Sequence, residues 1–319
     1  MKLFDGLETL SEPLSDTTVA IGTFDGIHVG HQAIIRAAAQ DAFANSRRSL
    51  VFTFDRHPAE LLAPDRAPDH ITTPAQRNRY VAELGIDGLV VAKFDRQLAD
   101  LSPDAFLDRV LRTALGAKKI VVGDNFAFGR NRAGDAAFLE ASQQKYGYSL
   151  IALEPVQIDG SPASSTRVRE LLRAGSIAEA ERVLGHAFRL AGTVIEGRKL
   201  GRQLGYPTAN LLPQWKQVVP KDGIYAVQVS LGGGREVGGA CSIGERPTVE
   251  GAGRSIETYL FDFNEDLYGH ALEIRFAARL RDEERFDSLG ALKAQIEADV
   301  RLAREVLARD SRRLQPECF

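Results

Sequence analysis

The sequence predicts an α/β domain with a parallel sheet, followed by a small antiparallel Greek-key-like barrel and a carboxyl-terminal helix. Up to about residue 186, short apolar runs alternate with helical patterns, as a parallel α/β fold requires. Beyond that point, short strands are separated by glycine-containing turns, as in small barrels. The chain has 319 residues, of which 44% are hydrophobic, and this is enough for two cores.

The first domain, predicted as residues 1–186, contains apolar runs with the length of buried strands. They occupy residues 19–21, 49–54, 88–92, 119–122 and 149–153. Helical spacing of apolar positions predicts helices from Gly30 and at 74–84, 103–115, 168–174 and 177–184. Gly185 and His186 end this pattern, so we place the boundary after residue 186.

The second domain, predicted as residues 187–319, changes to a pattern of short strands with glycine turns. The predicted strands are 189–196, 223–231, 237–243, 255–263 and 271–280. A helix is predicted at about 288–307.

Charge and composition favour small-molecule ligands over nucleic acid or membranes. A formal net charge of -3 and a pI near 6.1 give no general basic field, so local groups must hold any phosphate ligand. Residues 1–15 lack the apolar segment of a leader, and no apolar run is long enough to cross a bilayer. We therefore expect a cytoplasmic protein. Cys241 and Cys318 are too few for a disulfide framework or a zinc site, and we expect them to have no chemical role.

Residues 20–31 read Ala-Ile-Gly-Thr-Phe-Asp-Gly-Ile-His-Val-Gly-His, and the first domain is organised around them. An apolar strand breaks at Gly22 and Gly26, and a helix begins near Gly30. Three-residue spacing puts His28 and His31 on one face of the helix start, beside free N–H groups and the positive end of the helix dipole. This arrangement favours phosphate binding. The alternative is a tight strand-to-helix connection without a ligand, because the glycines match neither common nucleotide-binding pattern.

Two further stretches follow predicted strands, where ligands of open α/β sheets bind. Asp55-Arg56-His57-Pro58 follows the second strand, and residues 123–130 follow the fourth. The latter stretch brings Asn125, Phe126 and Phe128 to the ligand edge of the sheet. These residues either contact a ligand or form a capped turn with aromatic side chains in the core, and residue chemistry alone leaves both possibilities open.

Residues 164–169 read Ser-Ser-Thr-Arg-Val-Arg at the predicted start of a helix. The hydroxyl groups and the guanidinium group of Arg169 are suited to clamp the β- and γ-phosphates of a nucleotide. The alternative is an ordinary capped helix start with solvated arginines.

Residues 197–210 read Gly-Arg-Lys-Leu-Gly-Arg-Gln-Leu-Gly-Tyr-Pro-Thr-Ala-Asn. A glycine loop of this kind can close over ATP phosphates, while Thr208 and Asn210 offer the oxygen ligands that Mg²⁺ prefers. The alternative is an exposed basic hairpin loop.

Glu257 lies in an otherwise apolar predicted strand, where burying a carboxylate is costly unless it has a partner or a catalytic role. Glu257 either acts as a base or lies on the solvent-exposed face of the barrel.

These stretches resemble motifs of one family. Residues 22–31 resemble the Gly-x-Phe-Asp-Gly-x-His-x-Gly-His signature of the nucleotidyltransferase superfamily, as carried by bacterial bifunctional riboflavin kinase/FAD synthetases. Residues 123–129 resemble Gly-x-Asn/Asp-Phe-x-Phe-Gly, and residues 163–169 resemble Ile-Ser-Ser-Thr-x-x-Arg with Ala163 in place of the β-branched residue. Residues 197–210 resemble the riboflavin kinase motif that ends in Pro-Thr-Ala-Asn. The similarity extends through Glu257 and residues 281–286 to about residue 299.

The resemblance implies a Rossmann-like nucleotidyltransferase domain that adenylylates FMN to FAD, and a barrel that phosphorylates riboflavin to FMN. ATP is the implied co-substrate and Mg²⁺ the cofactor. It implies that His28, His31 and Glu257 are catalytic and that Thr208 and Asn210 bind the metal. The implied ATP and phosphate contacts are Gly22, Phe24, Asp25, Gly30, Ser164, Ser165, Thr166, Arg169, Gly197, Gly201 and Gly205. The implied flavin contacts are Pro58, Asn125, Phe126, Phe128 and Arg281.

Two other functions are weighed against this one. The first is a nucleotidyltransferase for another phosphomonoester, with the barrel as a binding module. The second is a non-catalytic flavin carrier. The complete Pro-Thr-Ala-Asn string with Glu257 argues against the first, and the retention of both histidines argues against the second. Association into a homo-oligomer is left open.

Overall fold

The computed structural model describes residues 1–10, 12–197, 200–248 and 251–314. The chain forms two compact units. The first comprises Met1–Pro68 and Pro74–Ser165, and the second comprises Asp69–Thr73 and the chain from Thr166 onward. This division falls before residue 186 because the following helices pack with the barrel. The boundary between the two activities at residue 186 stays a prediction.

The first unit contains ten strands among its described residues. In chain order they are β1 (Lys2–Asp5), β2 (Thr17–Ile21), β3 (Arg48–Phe54), β4 (Gly88–Ala92), β5 (Ala117–Gly123), β6 (Ala127–Phe128), β7 (Gly134–Asp135), β8 (Ser149–Leu153), β9 (Gln157–Ile158) and β10 (Ser161–Pro162). Strands β1 to β5 and β8 form one parallel sheet in the order β1-β4-β3-β2-β5-β8. The short pairs β6-β7 and β9-β10 are antiparallel.

Eight helices precede the barrel among the described residues, and the last of them lies in the second unit. They are α1 (Val29–Ala44), α2 (Pro58–Leu62), α3 (Pro74–Glu83), α4 (Arg96–Ala99), α5 (Pro103–Phe106), α6 (Ala136–Tyr146), α7 (Ser165–Ala174) and α8 (Ile177–Leu184). Helix α5 continues as a π-helix at Leu107–Ala114, and three 3-10 turns lie at Leu7–Thr9, Pro64–Arg66 and Arg130–Arg132.

Both faces of the parallel sheet are buried, and alternate residues of each strand enter different cores. Val19 and Ile21 of β2 belong to one apolar cluster, whereas Ala20 belongs to the other. This follows from the two-residue period of a strand and explains why the central strands read as continuous apolar runs. Strand β2 lies between β3 and β5, so the order of the strands reverses there. The carboxyl ends of β2 and β5 thus form the crevice where ligands of such sheets bind.

The second unit contains a closed antiparallel barrel. Its strands are β11 (Arg189–Ile195), β12 (Thr208–Pro213), β13 (Gly223–Ser230), β14 (Glu236–Thr248), β15 (Gly251–Leu260) and β16 (Ala271–Arg281), with α9 (Leu200–Gln203) and α10 (Leu289–Leu314) as helices. The order around the barrel is β11-β12-β15-β14-β13-β16. Within it, β16-β13-β14-β15 is a Greek key, because the fourth strand of the set returns beside the first. The predicted fold class is therefore confirmed.

Helix α10 packs against the outside of the barrel. Ala303 of this helix is fully buried against Ala226 and Phe261, with Val300 and Leu307 alongside.

In the barrel wall, Cys241 is also fully buried, and burial raises the pKa of its thiol to about 12. A thiol with so high a pKa is unreactive at neutral pH, as expected for a structural cysteine. Cys318 lies outside the described residues.

Several short elements were not predicted, and three further differences concern the main sheet, its helices and the barrel. Strand β1 was not predicted, because it is an edge strand with Phe4 as its buried residue. Helix α6 was not predicted, because Leu139 and Ser142 are its buried residues and no long apolar stripe marks it. Strand β12 was predicted as part of a loop, so the barrel has six strands where five were predicted.

The segment Asp69–Thr73 is joined to the second unit by backbone and amide hydrogen bonds. The N–H group of His70 donates to the Lys216 carbonyl at 3.1 Å, and that of Val218 donates to the His70 carbonyl at 2.7 Å. The buried side chain of Gln217 donates from Nε2 to the Ile71 carbonyl at 3.0 Å and accepts at Oε1 from the Ala191 N–H at 2.9 Å. This part of the chain therefore contributes to the unit that contains the barrel.

A polar cluster lies where α8 and α10 meet the barrel. Glu181 of α8 has a buried Oε1 atom for which the described residues provide no hydrogen-bond partner. Burial raises the pKa of Glu181 to about 7, against the attraction of Arg275, and Asp310 raises it further. Arg275 is itself ion-paired with Asp310 and donates to Gln228 Oε1 at 3.0 Å. Glu181 therefore shares a cation that already has an acidic partner.

We expect Glu181→Gln to stabilise the protein more at pH 8 than at pH 5. The folded carboxyl keeps its proton up to about pH 7, whereas in the unfolded chain it titrates near 4.5. Its contribution to stability is therefore full below pH 4.5 and is lost as the pH rises through 7. Glutamine is neutral throughout, so the difference in Tm between variant and wild type should grow by about 2–4 °C between the two pH values.

Thermal unfolding of both proteins at pH 5 and pH 8 measures this difference. Glu179→Gln is the matched control, because Glu179 is an exposed residue of the same helix. An equal Tm difference at both pH values would show that the carboxyl of Glu181 is not perturbed.

Candidate active sites

The turn between β2 and α1 brings the two histidines of the first motif together. His28 is the N-cap of α1, and its Nδ1 accepts the backbone N–H of His31 at 3.4 Å. The two rings are stacked with centroids 3.6 Å apart, and Phe24 meets the His31 ring edge-on at 5.3 Å. His28 is 6% exposed. Both imidazoles thus lie at a helix start, where the dipole and the first N–H groups favour an anion.

The backbone of this turn is strained, because three of its residues have positive φ and only one of them is glycine. Phe24 and Ile27 have φ values of +49° and +41°, and Gly26 has +84°. A positive φ is unusual for a β-branched residue such as Ile27, and such strain persists where the surroundings enforce it. A Cβ on Gly30 would lie 3.1 Å from Cε1 of His28, so glycine leaves room for the ring. A Cβ on Gly22 would likewise lie 3.1 Å from the Phe24 ring.

Hydrogen bonds from distant residues hold the turn in place. Ser165 Oγ, at the start of α7, donates to the Asp25 carbonyl at 2.9 Å across a sequence separation of 140 residues. Thr53 Oγ1 donates to the Thr23 carbonyl at 3.1 Å. The first unit therefore joins the first motif directly to the Ser164-Ser165 pair. Ser165 and Asp25 are both predicted phosphate contacts.

The remainder of the third motif belongs to the second unit. Arg169 is 7% exposed, and its Nε donates to the Asp69 carbonyl at 2.6 Å. One turn later, Arg173 forms an ion pair with the Asp69 carboxylate at 2.6 Å. Thr166 begins the second unit. The phosphate roles of Thr166 and Arg169 stay predictions.

The predicted flavin contacts of the first unit lie in different surroundings. Asn125 is exposed after β5, and a Cβ on Gly123 would lie 3.3 Å from its Oδ1. Phe126 is half-buried and stacks on Phe128 with centroids 5.5 Å apart. Phe128 is 8% exposed and belongs to the core, so its position is explained by packing. Pro58 is half-buried in the first turn of α2, whose N-cap is His57.

Sequence reasoning missed a buried cation at the same edge of the sheet. Arg77, in α3, is 8% exposed, and its Nη1 donates to the carbonyl of Phe54, the last residue of β3, at 2.7 Å. In the sequence it is one arginine of a polar helix, and nothing there distinguishes it from a solvated cation.

In the barrel, β12 and β15 bring together the three polar residues of the predicted kinase site. Asn210 lies directly opposite Glu257, and Thr208 lies two residues earlier on the same face of β12. Thr208 Oγ1 donates to Glu257 Oε2 at 3.1 Å. Asn210 is 7% exposed and Glu257 is half-buried. Their neighbours Ile256 and Thr258 face the opposite side and are buried.

The three glycines of the loop before β12 are required for different reasons. A Cβ on Gly197 would lie 2.2 Å from Nδ2 of Asn210, so the backbone approaches the amide too closely for any other residue. A Cβ on Gly201 would lie 2.3 Å from the Tyr206 carbonyl oxygen. Gly205 has a φ of +88°, which favours glycine. Arg198 and Lys199 of this loop lie outside the described residues.

The donor set of this site fits Mg²⁺. Because Thr208 donates its hydrogen to Glu257, the lone pairs of its hydroxyl remain available to a cation. Hydroxyl, amide and carboxylate oxygens suit Mg²⁺, which commonly keeps several waters and binds substrate phosphates. Among the described residues there is no cluster of three or more His, Cys, Asp and Glu side chains suited to a metal, so a protein-only cage is not indicated.

The predicted flavin contact Arg281 has a different environment. Its guanidinium forms two hydrogen bonds with the Asp299 carboxylate of α10, at 2.8 Å and 2.7 Å. Asp299 is 6% exposed, and its hydrogen bonds with Arg281 raise the pKa of the guanidinium. A bidentate pair of this kind fixes α10 to the end of β16. The contact with flavin stays a prediction.

Comparisons with known proteins identify the family of the chain. Residues 10–167 match the family model for FAD synthetase, and residues 184–307 match that for riboflavin kinase. A bifunctional riboflavin kinase/FMN adenylyltransferase of Escherichia coli K12 is 39% identical over 96% of this chain and 97% of its own length. One from Pseudomonas fluorescens is 40% identical over 98% of this chain and 100% of its own.

A crystal structure from Streptococcus pneumoniae has a TM-score of 0.85, is 32% identical, and covers 95% of this chain and 99% of its own. It is described as a macrolide-efflux protein. In the described part of this chain, no helix has the length and apolar character needed to span a membrane. The two family models agree with the curated relatives. The chain belongs to the family of bifunctional riboflavin kinase/FMN adenylyltransferases.

Proposed function

We propose that the chain converts riboflavin to FMN in its carboxyl-terminal part and FMN to FAD in its amino-terminal part, with ATP as co-substrate of both steps. The observation that carries this is the assembly of Thr208, Asn210 and Glu257 on adjacent strands of the barrel, in a chain that also places two histidines at a helix start. The two sites serve consecutive reactions, because FMN is the product of one and the substrate of the other.

In the kinase reaction, the terminal ribityl hydroxyl attacks the γ-phosphorus of ATP. The new O–P bond forms as the bond to ADP breaks, and the hydroxyl proton passes to Glu257. Thr208 orients the carboxylate through its 3.1 Å hydrogen bond. Mg²⁺ bound by Thr208 and Asn210 would neutralise charge on the ATP phosphates. Gly197, Gly201 and Gly205 let the loop backbone approach those phosphates.

In the adenylyl transfer, a phosphate oxygen of FMN attacks the α-phosphorus of ATP, and pyrophosphate leaves without a covalent enzyme intermediate. Catalysis of this kind depends on positioning and on stabilising charge. His28 and His31 donate hydrogen bonds to the oxygens of the α-phosphate and the bridging oxygen. Gly22, Phe24, Asp25 and Gly30 shape the turn that receives ATP.

Further residues are assigned to the same reaction. Ser164, Ser165, Thr166 and Arg169 bind the leaving pyrophosphate, as hydroxyl and guanidinium donors suit its oxygens. Asn125, Phe126, Phe128 and Pro58 are the proposed flavin contacts, of which Phe128 also belongs to the core and Phe126 packs against it. We assign residues 1–186 to adenylyl transfer and residues 187–319 to the kinase, and both to the cytoplasm, where ATP is supplied.

Incubation of the purified chain with riboflavin, ATP and Mg²⁺ tests this proposal. Chromatography of the flavins should show FMN first and FAD later, with ADP and pyrophosphate as the other products. No flavin product from riboflavin, together with adenylylation of another phosphomonoester, would favour the rival nucleotidyltransferase. Flavin binding without any product would favour the carrier.

A further inference from the structure

The buried guanidinium of Arg77 lies at the ligand edge of the sheet in the first unit. It is 8% exposed, and Nη1 bonds the last carbonyl of β3, that of Phe54, at 2.7 Å. Asp25 and Asp55 follow the carboxyl ends of the paired strands β2 and β3. Burial lowers the pKa of Arg77, while the charges of Asp25 and Asp55 act against this shift. The guanidinium is thus fixed to the end of β3 by its hydrogen bond to the Phe54 carbonyl.

Stability alone does not account for a cation in this place. Desolvating a guanidinium is costly, and its Nε is a buried donor for which the described residues offer no acceptor. A buried ion pair is weak evidence for stability, since apolar replacements of similar volume are often neutral. The neighbouring Arg79, in contrast, is exposed on the same helix.

Arg77 is connected to the turn before the histidines through the end of β3, because it bonds Phe54 and the preceding residue, Thr53, bonds this turn. Asp25 of the turn is 7% exposed and lies between Phe24 and Gly26, both with positive φ. The carbonyl of Asp25 is fixed by Ser165, and that of Thr23 by Thr53. Ile27, also at positive φ, then leads into the N-cap His28. A turn with this strain keeps one conformation only where its surroundings enforce it, and the end of β3 is part of those surroundings.

We propose that Arg77 is a positioning residue for adenylyl transfer, which fixes the end of β3 and, through the bond from Thr53 to Thr23, the turn that presents His28 and His31. The inference rests on the proposed function of the first unit. Arg77 acts through the end of β3 and the turn, not by contact with the reacting atoms.

Arg77→Met tests this inference, with Arg79→Met as the matched control on the same helix. The rates of FAD formation from FMN and ATP and of FMN formation from riboflavin are measured for each protein. For Arg77→Met, kcat for FAD formation should fall by about 10–100-fold, because displacement of about 1 Å can cost a factor of 10². KM values, kinase turnover and Tm should stay close to those of the wild type. Arg79→Met should leave all of them unchanged.

Two further variants separate positioning from a merely structural role. Arg77→Lys should recover part of the lost kcat, because it keeps the charge without the forked geometry. In a double-mutant cycle, Arg77→Met combined with Thr53→Val should be little slower than Thr53→Val alone, because both changes break the same link from β3 to the turn. If Arg77→Met does not fold, Arg77→Gln and Arg77→Lys carry the same comparison.

Several results would overturn the inference. They are a kcat for Arg77→Met like that of the wild type, a loss confined to KM, additive effects in the cycle, or a loss that follows Tm and is not rescued by lysine. A loss confined to KM would instead indicate direct contact with substrate. A wild-type chain that phosphorylates riboflavin but makes no FAD would overturn the proposed adenylyl transfer itself, and this inference with it.

Discussion

Glu257→Gln is expected to lower the turnover of riboflavin phosphorylation by about 10²–10⁴-fold, the usual contribution of a general base. Glutamine keeps the size of the side chain, and its carbonyl oxygen can still accept the Thr208 hydroxyl that lies 3.1 Å from Glu257 in the wild type. It cannot take a proton from the attacking hydroxyl. The loss should therefore appear in kcat, with little change in the KM for ATP.

Initial rates with riboflavin and ATP measure this loss, and the same preparation supplied with FMN provides an internal control. Adenylyl transfer from FMN should be unaffected, because it takes place at the other site. Glu265→Gln is the matched substitution, since Glu265 is an exposed carboxylate paired with Arg235 on the surface of the second unit. If Glu257→Gln folds correctly and phosphorylates riboflavin at the wild-type rate, Glu257 is not the base.

How well each strand could be predicted from the sequence depended on its pattern of buried residues. Strands buried on both faces, such as β2 and β4, read as continuous apolar runs, and the sequence locates them directly. Strand β12 escaped prediction because Thr208 and Asn210, its functional residues, are polar and replace the expected apolar pattern. Polar residues with a functional role thus interrupt the apolar pattern from which strands are predicted.

The candidate sites were predictable to a similar degree. Local spacing was sufficient to predict that His28 and His31 meet at a helix start, because three residues cover about one helical turn. It did not predict the bond from Ser165 to Asp25, since this contact spans 140 residues and requires the folded sheet. Nor did it indicate that Arg77 is buried or that Arg281 is paired with Asp299, because the exposure of an arginine is a property of the fold.

Replacing both histidines, as His28→Asn with His31→Gln, is expected to lower FAD formation from FMN by about 10²-fold or more, the cost of removing a donor to developing charge. Asparagine is a favourable N-cap, so its side chain can accept from the N–H groups that begin α1, as His28 Nδ1 does. The substitution therefore removes the imidazoles while it conserves the helix start. The loss should be in kcat, since the transition state depends on these donors more than the bound substrates do.

Rates of FAD formation from FMN and ATP are measured for the single and double variants, and riboflavin phosphorylation serves as the internal control. His57→Asn is the matched substitution, because His57 also caps a helix, with its Nδ1 accepting from the Ala59 N–H at 3.1 Å. It should remain close to the wild type. If the double variant forms FAD as fast as the wild type while its Tm is unchanged, the histidines do not stabilise the transferring phosphate. The stacked pair at the start of α1 would then serve packing alone.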